Sequence, residues 1–291
     1  MNERIAQEVE NLLSHNEVFQ EMASSCRGKK QIRTIHHFAC TGGTLISKCI
    51  AAQPNVFLLS EVHPYTDLHL GSGKPKYLPS DIPSLAKHAD IPMQQKLAAS
   101  IFKGSIAATH DHVERLGGTL VLRDHTHSDF CVGEQPEQGS SVVELLMDDF
   151  ELLSLITMRD PIESFLSLKR NDWVHFQPAS FDEYCRRLLK FLEVFHNVPI
   201  IWYEDFVRQP KAVMQRICQT LKLPYNNEFE DIFDIFKVTG DSGRTSDDIS
   251  TRQKKEIDEA LVIEAQNSRA FEKLQAKIPE RELVKGYNGQ I

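Results

Sequence analysis

The chain has 291 residues, of which 41% are hydrophobic and 25% charged, a composition typical of a globular protein with a substantial core. Its formal net charge of -8 and pI near 5.8 argue against general affinity for nucleic acids or anionic membranes. No stretch reaches the roughly 18 apolar residues that a membrane span needs, and we expect no secretory signal. The six cysteines are scattered without a C-x-x-C pair, which favours reduced thiols in a cytoplasmic protein.

The pattern of apolar residues predicts strands that alternate with helices. Residues 1–30 predict an appended N-terminal helix that ends in a basic link. Strands are predicted at 32–38, 56–59, 119–122, 152–158 and 198–203. Helices are predicted at 44–52, 93–116, 161–171, 181–196, 210–221 and about 251–275. Residues 64–92 are predicted to form a long loop region with one short helix. No repeat or composition break appears, so we expect a single α/β domain over 1–291 with a parallel sheet covered on both faces.

A glycine turn follows the first strand. Thr41, Gly42, Gly43 and Thr44 lie between strand and helix, where backbone N–H groups and the helix dipole favour a bound anion. The Walker pattern is missing, because no lysine precedes Thr44. An ordinary strand-to-helix turn also uses glycine, so both interpretations are open on this stretch alone.

Polar residues also follow the other predicted strands. These residues are Glu61, the run from Arg123 to His127, Arg159 and Tyr203. Ligands of parallel sheets bind at the carboxyl ends of the strands. The sequence therefore predicts a binding site at this edge of the sheet.

Two further stretches carry a family resemblance. Arg159, with Ser167 eight residues later, resembles a motif of the sulfotransferases that use 3′-phosphoadenosine 5′-phosphosulfate (PAPS). The run from Trp202 to Pro224 is also similar to that family. The resemblance covers roughly residues 32–244 and implies a three-layer P-loop-type fold, with a central parallel sheet flanked by helices.

The resemblance assigns expected roles to individual residues. It implies that Arg159 and Ser167 hold the 3′-phosphate, where a guanidinium can pair with two phosphate oxygens. It places Tyr203 beside adenine and the Thr41–Thr44 turn around the 5′-phosphosulfate. Arg244, in a late glycine loop, matches a third phosphate-contacting segment. The structural alternatives are an ion pair of Arg159 with a neighbouring acid and a plain surface loop around Arg244.

One position departs from the family. Cys40 stands where sulfotransferases usually carry a lysine or arginine that stabilises the departing charge. Arg123 is our preferred replacement, because Arg123-Asp124-His125 resembles the Lys-x-His strand end of the cytosolic members; Lys48 is the second choice. The acceptor's proton has two candidate bases, His125, which we favour, and Glu61. Their structural alternatives are a hydrogen-bonded histidine and a helix cap or ion pair.

We therefore expect a PAPS-dependent sulfotransferase that acts on a hydroxyl or amine of a small molecule, lipid, sugar or peptide, and leaves PAP (the desulfated nucleotide) as product. A homodimer is left open. We expect no metal, because the pairs His110/His112 and His125/His127 have no third ligand placed by spacing. The alternatives are a non-catalytic PAP-binding protein, motivated by Cys40, and a magnesium-dependent kinase, which the missing lysine disfavours.

Overall fold

The computed structural model describes residues 28–66, 68, 81–236, 238, 248–250 and 259–278. The predicted N-terminal helix, apart from its last residues, and the start of the predicted last helix lie outside this part of the chain. So does Arg244 with its glycine loop. Those predictions remain predictions.

The centre of the molecule is a five-stranded parallel sheet. Its strands follow the spatial order β2-β3-β1-β5-β7, so the first strand lies in the middle. They span Lys30–His37 (β1), Val56–Val62 (β2), Thr119–Asp124 (β3), Phe150–Met158 (β5) and Ile200–Trp202 (β7). Two short strands, Val132–Gly133 (β4) and His175–Phe176 (β6), form a separate parallel pair.

Helices connect the strands. They span Gly43–Ala51 (α1), Ile82–His88 (α2), Gln94–Arg115 (α3), Thr126–Phe130 (α4), Ser141–Leu146 (α5), Pro161–Arg170 (α6), Phe181–Val194 (α7), Tyr203–Arg208 (α8), Pro210–Leu221 (α9), Glu259–Asn267 (α10) and Arg269–Lys277 (α11). Two 3₁₀ turns follow α9, at Phe229–Asp231 and Phe233–Ile235. Within the described ranges, no helix combines the length and the apolar character that a membrane crossing requires.

Apolar side chains on both faces of the sheet hold these layers together. On one face Ile35 packs in a cluster with residues of α1 and α9, such as Ile46 and Ile217. On the other face Ile32 packs with α3 and α5, and Phe38 packs with α6, α7 and α11. Because successive residues of a strand point to opposite faces, β1 supplies both cores. The predicted three-layer α/β fold is confirmed.

Local sequence signals place several helix ends correctly. The side chain of Asp160 accepts hydrogen bonds from the backbone N–H groups of Ile162 and Glu163, and Pro161 is the first residue of α6, as expected for a capped start. The predicted helix 210–221 coincides with α9. The predicted single last helix is wrong for 259–277, where Ser268 caps a second helix by accepting from the N–H of Phe271.

Two strand ends differ from the prediction in a way that shapes the site. β2 continues beyond residue 59 to Val62 through a register shift, and Glu61 within it has φ +60°. Tyr203, predicted as the end of a strand, is instead the first residue of α8. Because all five strands are parallel, these two residues lie at the same edge of the sheet as the glycine turn.

Candidate functional site

The turn after β1 is a tight loop held by its own hydrogen bonds. The Thr41 N–H and hydroxyl both donate to the Phe38 carbonyl, at 3.2 and 2.8 Å. Cys40 has φ +62° and Gly42 φ +83°, both in the left-handed region. α1 begins at Gly43, so its first N–H groups face the loop.

Both glycines of the loop are required by close neighbours. A Cβ on Gly42 would lie 2.3 Å from the Tyr203 ring, and one on Gly43 would lie 2.8 Å from the His37 ring. The loop is therefore held between two aromatic rings, one from β1 and one from the start of α8. Thr41, Gly42, Gly43 and Tyr203, which the sequence placed at one site, do meet there.

On the β2–β3 side of the loop, Arg123 is the centre of a buried polar cluster. Its Nη2 lies 2.7 Å from Glu61 Oε1, 3.1 Å from His37 Nε2 and 3.3 Å from Thr44 Oγ1. Its Nη1 donates to Ser60 Oγ at 3.1 Å. The guanidinium thus joins the start of α1 to the ends of β1 and β2, and brings a buried positive charge to the edge of the glycine loop.

His37 belongs to this cluster, although the sequence analysis did not single it out. A guanidinium can only donate hydrogen bonds, so His37 Nε2 accepts from Arg123 and the neutral ring carries its proton on Nδ1. Burial and the charge of Arg123 lower the pKa of His37, in agreement with a neutral ring. The only sequence signal for His37 was its position at the end of the strand before the glycine turn.

Glu61 is held as an anion. Burial alone would raise its pKa, but Arg123, His37 and His125 together outweigh burial and lower it to about 2. Its left-handed backbone is uncommon for a residue with a side chain, and such strain is often found at functional sites. The predicted structural alternative, an ion pair, is present here in the form of the contact with Arg123.

The two candidate bases lie against each other. His125 Nε2 is 3.6 Å from Glu61 Oε2, and its Nδ1 is 3.5 Å from the Ser128 hydroxyl. Burial lowers the pKa of His125 to about 4, although the Glu61 charge opposes this. His125 is therefore a neutral ring beside a carboxylate near pH 7.

His127 faces another partner. Its Nε2 lies 3.0 Å from Nδ1 of the exposed His175. The two predicted strand-end histidines remain neighbours, with ring centroids 6.1 Å apart, although a short helix, α4, begins directly after His125. Burial lowers the pKa of His127 to about 3.

On the β5–β7 side of the loop, Arg159 lies over the Tyr203 ring. The guanidinium carbon is 5.0 Å from the ring centroid, within the range of a cation–π interaction. Its Nη2 is also 3.2 Å from Glu163 Oε2, one helical turn along α6. The predicted ion pair with a neighbouring acid is therefore present, and it leaves the guanidinium beside the ring that holds Gly42.

Cys40 faces this second side of the site. Burial raises the pKa of the Cys40 thiol, although hydrogen bonding from Ser167 and the charge of Arg159 oppose this. Ser167 and Arg159 thus both lie near the Cys40 thiol. The half-buried Cys40 thiol provides no positive charge, and Lys48 lies in the last turn of α1, which carries it away from the loop. Of these three residues, Arg123 alone lies beside Thr44 as a cation.

The buried histidines predict an acid-sensitive fold. Since the folded-state pKa of His127 is about 3, the unfolded chain binds about half a proton more than the folded chain at pH 6.5 and nearly one proton more at pH 5. The contribution of His127 is thus fully present above pH 6.5 and falls by about 2 kcal/mol by pH 5. The slope of the unfolding free energy against pH reports how many more protons the unfolded chain binds. In urea titrations near pH 5 we expect His127→Gln to reduce this number by about one. The exposed His112→Gln is the control; equal slopes in wild type and His127→Gln would contradict this prediction.

The fold is shared with proteins of known structure. No protein-family model matches the sequence, and no curated protein matches it either. The sulfotransferase domain from the curacin biosynthetic pathway is similar with a TM-score of 0.51 and 16% identity, covering 86% of this chain and 98% of that one. The sulfotransferase domain from the Synechococcus PCC 7002 olefin synthase has a TM-score of 0.46 and 16% identity, covering 88% and 97%. At such identities the likeness concerns the backbone arrangement, and the chain has the fold of the sulfotransferases.

Proposed function

We propose that the protein is a sulfotransferase that moves a sulfuryl group from PAPS to a hydroxyl or amine of a small-molecule, lipid, sugar or peptide acceptor. The observation that carries this proposal is the pair of guanidinium groups on opposite sides of the glycine loop. Arg123 lies next to Thr44 on one side, and Arg159 lies over Tyr203 on the other. A donor with phosphate groups at two positions calls for cations at two positions.

The residues of the loop fit a nucleotide of this kind. The nine-residue helix α1 directs its first N–H groups at the loop, which suits a phosphosulfate. Arg159 and Ser167, which both lie near Cys40, suit a 3′-phosphate. The Tyr203 ring, beside Arg159, suits an adenine. His37 Nδ1 is buried without a hydrogen-bond partner among the described residues, so the site has a donor to offer. The role of Arg244 stays a prediction.

PAPS supplies the sulfuryl group, and transfer of such a group depends on positioning and on positive charge near the leaving oxygen. Arg123 supplies that charge from β3. It takes the place of the lysine or arginine that sulfotransferases usually carry in the loop, where this chain has Cys40. Its ion pair with Glu61 and its hydrogen bond to His37 hold the guanidinium in one place before any ligand binds. Preorganised charge of this kind costs no rearrangement during the reaction.

We assign the base to His125 and its orientation to Glu61. With a pKa of about 4, His125 is the stronger base of the two, because the pKa of Glu61 is about 2. His125 Nε2, which lies 3.6 Å from Glu61 Oε2, carries the N–H of the neutral ring, because a carboxylate can only accept a hydrogen bond. Nδ1 therefore takes the proton from the acceptor molecule, and Glu61 stabilises the imidazolium that results. The two bases that the sequence left as alternatives thus act as one unit.

Calorimetric titration with PAP and with ADP, without magnesium, tests this proposal. We expect PAP to bind at least about tenfold more tightly than ADP, because a 3′-phosphate gains charge-assisted hydrogen bonds that ADP lacks. Equal affinities would contradict the PAPS assignment. A requirement for magnesium would instead favour a kinase.

Incubation with radiolabelled PAPS and a panel of phenols, alcohols, sugars, amines and tyrosine peptides then separates the enzyme from a non-catalytic PAP-binding protein. Cys40, which brings no positive charge to the loop, favours the non-catalytic candidate, and Arg123 favours the enzyme. We expect transfer to at least one acceptor class. PAP binding without transfer to any of them would support the non-catalytic alternative.

Three further expectations accompany the proposal. A cytoplasmic location, a single domain over 1–291 and a homodimer all stay predictions.

A further inference from the structure

A second group of polar side chains lies near the amino end of β1, at the opposite edge of the sheet from the glycine loop. His110, Asp111 and Glu114 are close together near the end of α3, and one ligand atom from each lies within 4.8 Å of the other two. His110 is buried, Asp111 is half-buried and Glu114 is exposed. The site described above uses none of them.

The His110 ring is oriented by the backbone of β1. Its Nε2 lies 3.0 Å from the Gln31 carbonyl oxygen, which can only accept, so Nε2 carries the proton of the neutral ring. Nδ1 then presents its lone pair towards Asp111 Oδ1, at 3.5 Å. A histidine that donates one ring N–H to a backbone carbonyl and offers the other nitrogen is the usual arrangement at metal sites.

The spacing of the ligand atoms suits a transition-metal ion. Bonds of about 2.1 Å at tetrahedral angles place ligand atoms about 3.4 Å apart. The separation of 3.5 Å between His110 Nδ1 and Asp111 Oδ1 already has this length. The exposed Glu114 has a carboxylate oxygen within 4.8 Å of the other two ligand atoms, so a small side-chain rotation lets it become the third ligand.

A positive charge already lies at this place. Lys30 Nζ is 2.6 Å from Asp111 Oδ1, with 52% of the lysine side chain exposed. A lysine on the surface can turn into solvent when an ion takes its position. A cavity of about 310 Å³, lined by residues that include Gln31, Arg33, His110 and Glu114, leaves room for water ligands. The Arg33 guanidinium is held at this cavity by hydrogen bonds to the Leu221 and Gln31 carbonyls.

We propose that His110 Nδ1, Asp111 and Glu114 bind a divalent transition-metal ion such as Zn²⁺, with water as the remaining ligand. The ion would fasten the end of α3 to the start of β1. The pair His110/His112 in the sequence does not form this site, because two residues along a helix are about 200° apart. Glu114 lies four residues after His110 and therefore on the same face of the helix. In the sequence only pairs of histidines two residues apart were considered, so this ligand was not identified there.

Calorimetric titration of the chelator-treated protein with Zn²⁺ tests the proposal. We expect saturable binding that weakens at least about tenfold in His110→Gln and in Glu114→Gln, and that His112→Gln leaves unchanged. Because Glu114 is exposed, its variant tests the site without risk to the core, and thermal unfolding confirms that each variant is folded. Mg²⁺ at the same concentration should not compete, since it disfavours nitrogen ligands.

Lys30→Ala provides a test of opposite sign. If the ion takes the place of the ammonium group, removal of the lysine should tighten Zn²⁺ binding several-fold. No saturable binding by the wild type, unchanged binding in Glu114→Gln, or a loss in His112→Gln equal to that in His110→Gln would overturn the proposal. Unchanged or weaker binding in Lys30→Ala would overturn it as well.

Discussion

Replacement of Arg123 with methionine should lower the free energy of unfolding by about 3–5 kcal/mol at pH 7 and abolish sulfuryl transfer. The guanidinium is buried and pairs with Glu61 at 2.7 Å, so its removal leaves a carboxylate in the interior without its main counter-charge. The pKa of Glu61 is then expected to rise, because burial is no longer opposed by Arg123. Urea unfolding at several pH values measures both the loss of unfolding free energy and the change in the pKa of Glu61.

A double variant separates the stability effect from the chemical one. Arg123→Met combined with Glu61→Gln removes both charges, and replacing a buried pair together is far less costly than breaking it. We expect the double variant to regain most of the stability and to remain inactive in the PAPS assay. A single variant as stable as the wild type, or a double variant as unstable as the single one, would show that the ion pair has no such role.

The sequence predicted the elements of this fold well where the signals are local. Asp160 and Pro161 mark the start of α6, and the apolar run of β5 can only be a buried strand in this context. The short helix α4 was missed because five residues carry too little periodicity to identify it.

The polar cluster of the site was harder to predict because it depends on strand order. Arg123, Glu61 and His37 come from β3, β2 and β1, and only the order β2-β3-β1 makes these three strands neighbours. His36 and His37 are adjacent at the end of β1. Because β1 is buried on both faces, the sequence does not show which of the two histidines faces the site. His36 lies on the other face of β1, where its Nδ1 bonds to Asp124 at 2.8 Å.

The backbone at Glu61 was equally hidden from the sequence. Left-handed positions are usually marked by glycine or asparagine, and neither occurs there. The register shift between Leu59 and Val62 is what brings the carboxylate to Arg123. The left-handed conformation of Glu61 thus goes with an ion pair in the interior, and no local sequence pattern predicts such an ion pair.

The 3′-phosphate site makes the second strong prediction. Arg159→Ala should weaken PAP binding at least about 100-fold, which corresponds to about 2.8 kcal/mol, and should change ADP binding much less. The physical reason is that a guanidinium can make two parallel hydrogen bonds to one phosphate, which alanine cannot replace. Arg159→Lys retains the charge but loses the paired guanidinium hydrogen bonds and the planar contact with Tyr203. We therefore expect its affinity for PAP to lie between those of the wild type and Arg159→Ala.

Glu163 supplies a matched change in the opposite direction. Its Oε2 lies 3.2 Å from Arg159 Nη2, and a phosphate that binds the same guanidinium must approach this carboxylate. Glu163→Gln keeps a hydrogen-bond acceptor for the arginine and removes the like charge, so PAP binding should tighten by several-fold while ADP binding stays the same. If Glu163→Gln weakens PAP binding as strongly as Arg159→Ala does, the ion pair positions the arginine and the carboxylate is part of the site. If neither variant affects PAP, the nucleotide does not bind at the carboxyl end of β5, and the assignment of Arg159 is wrong.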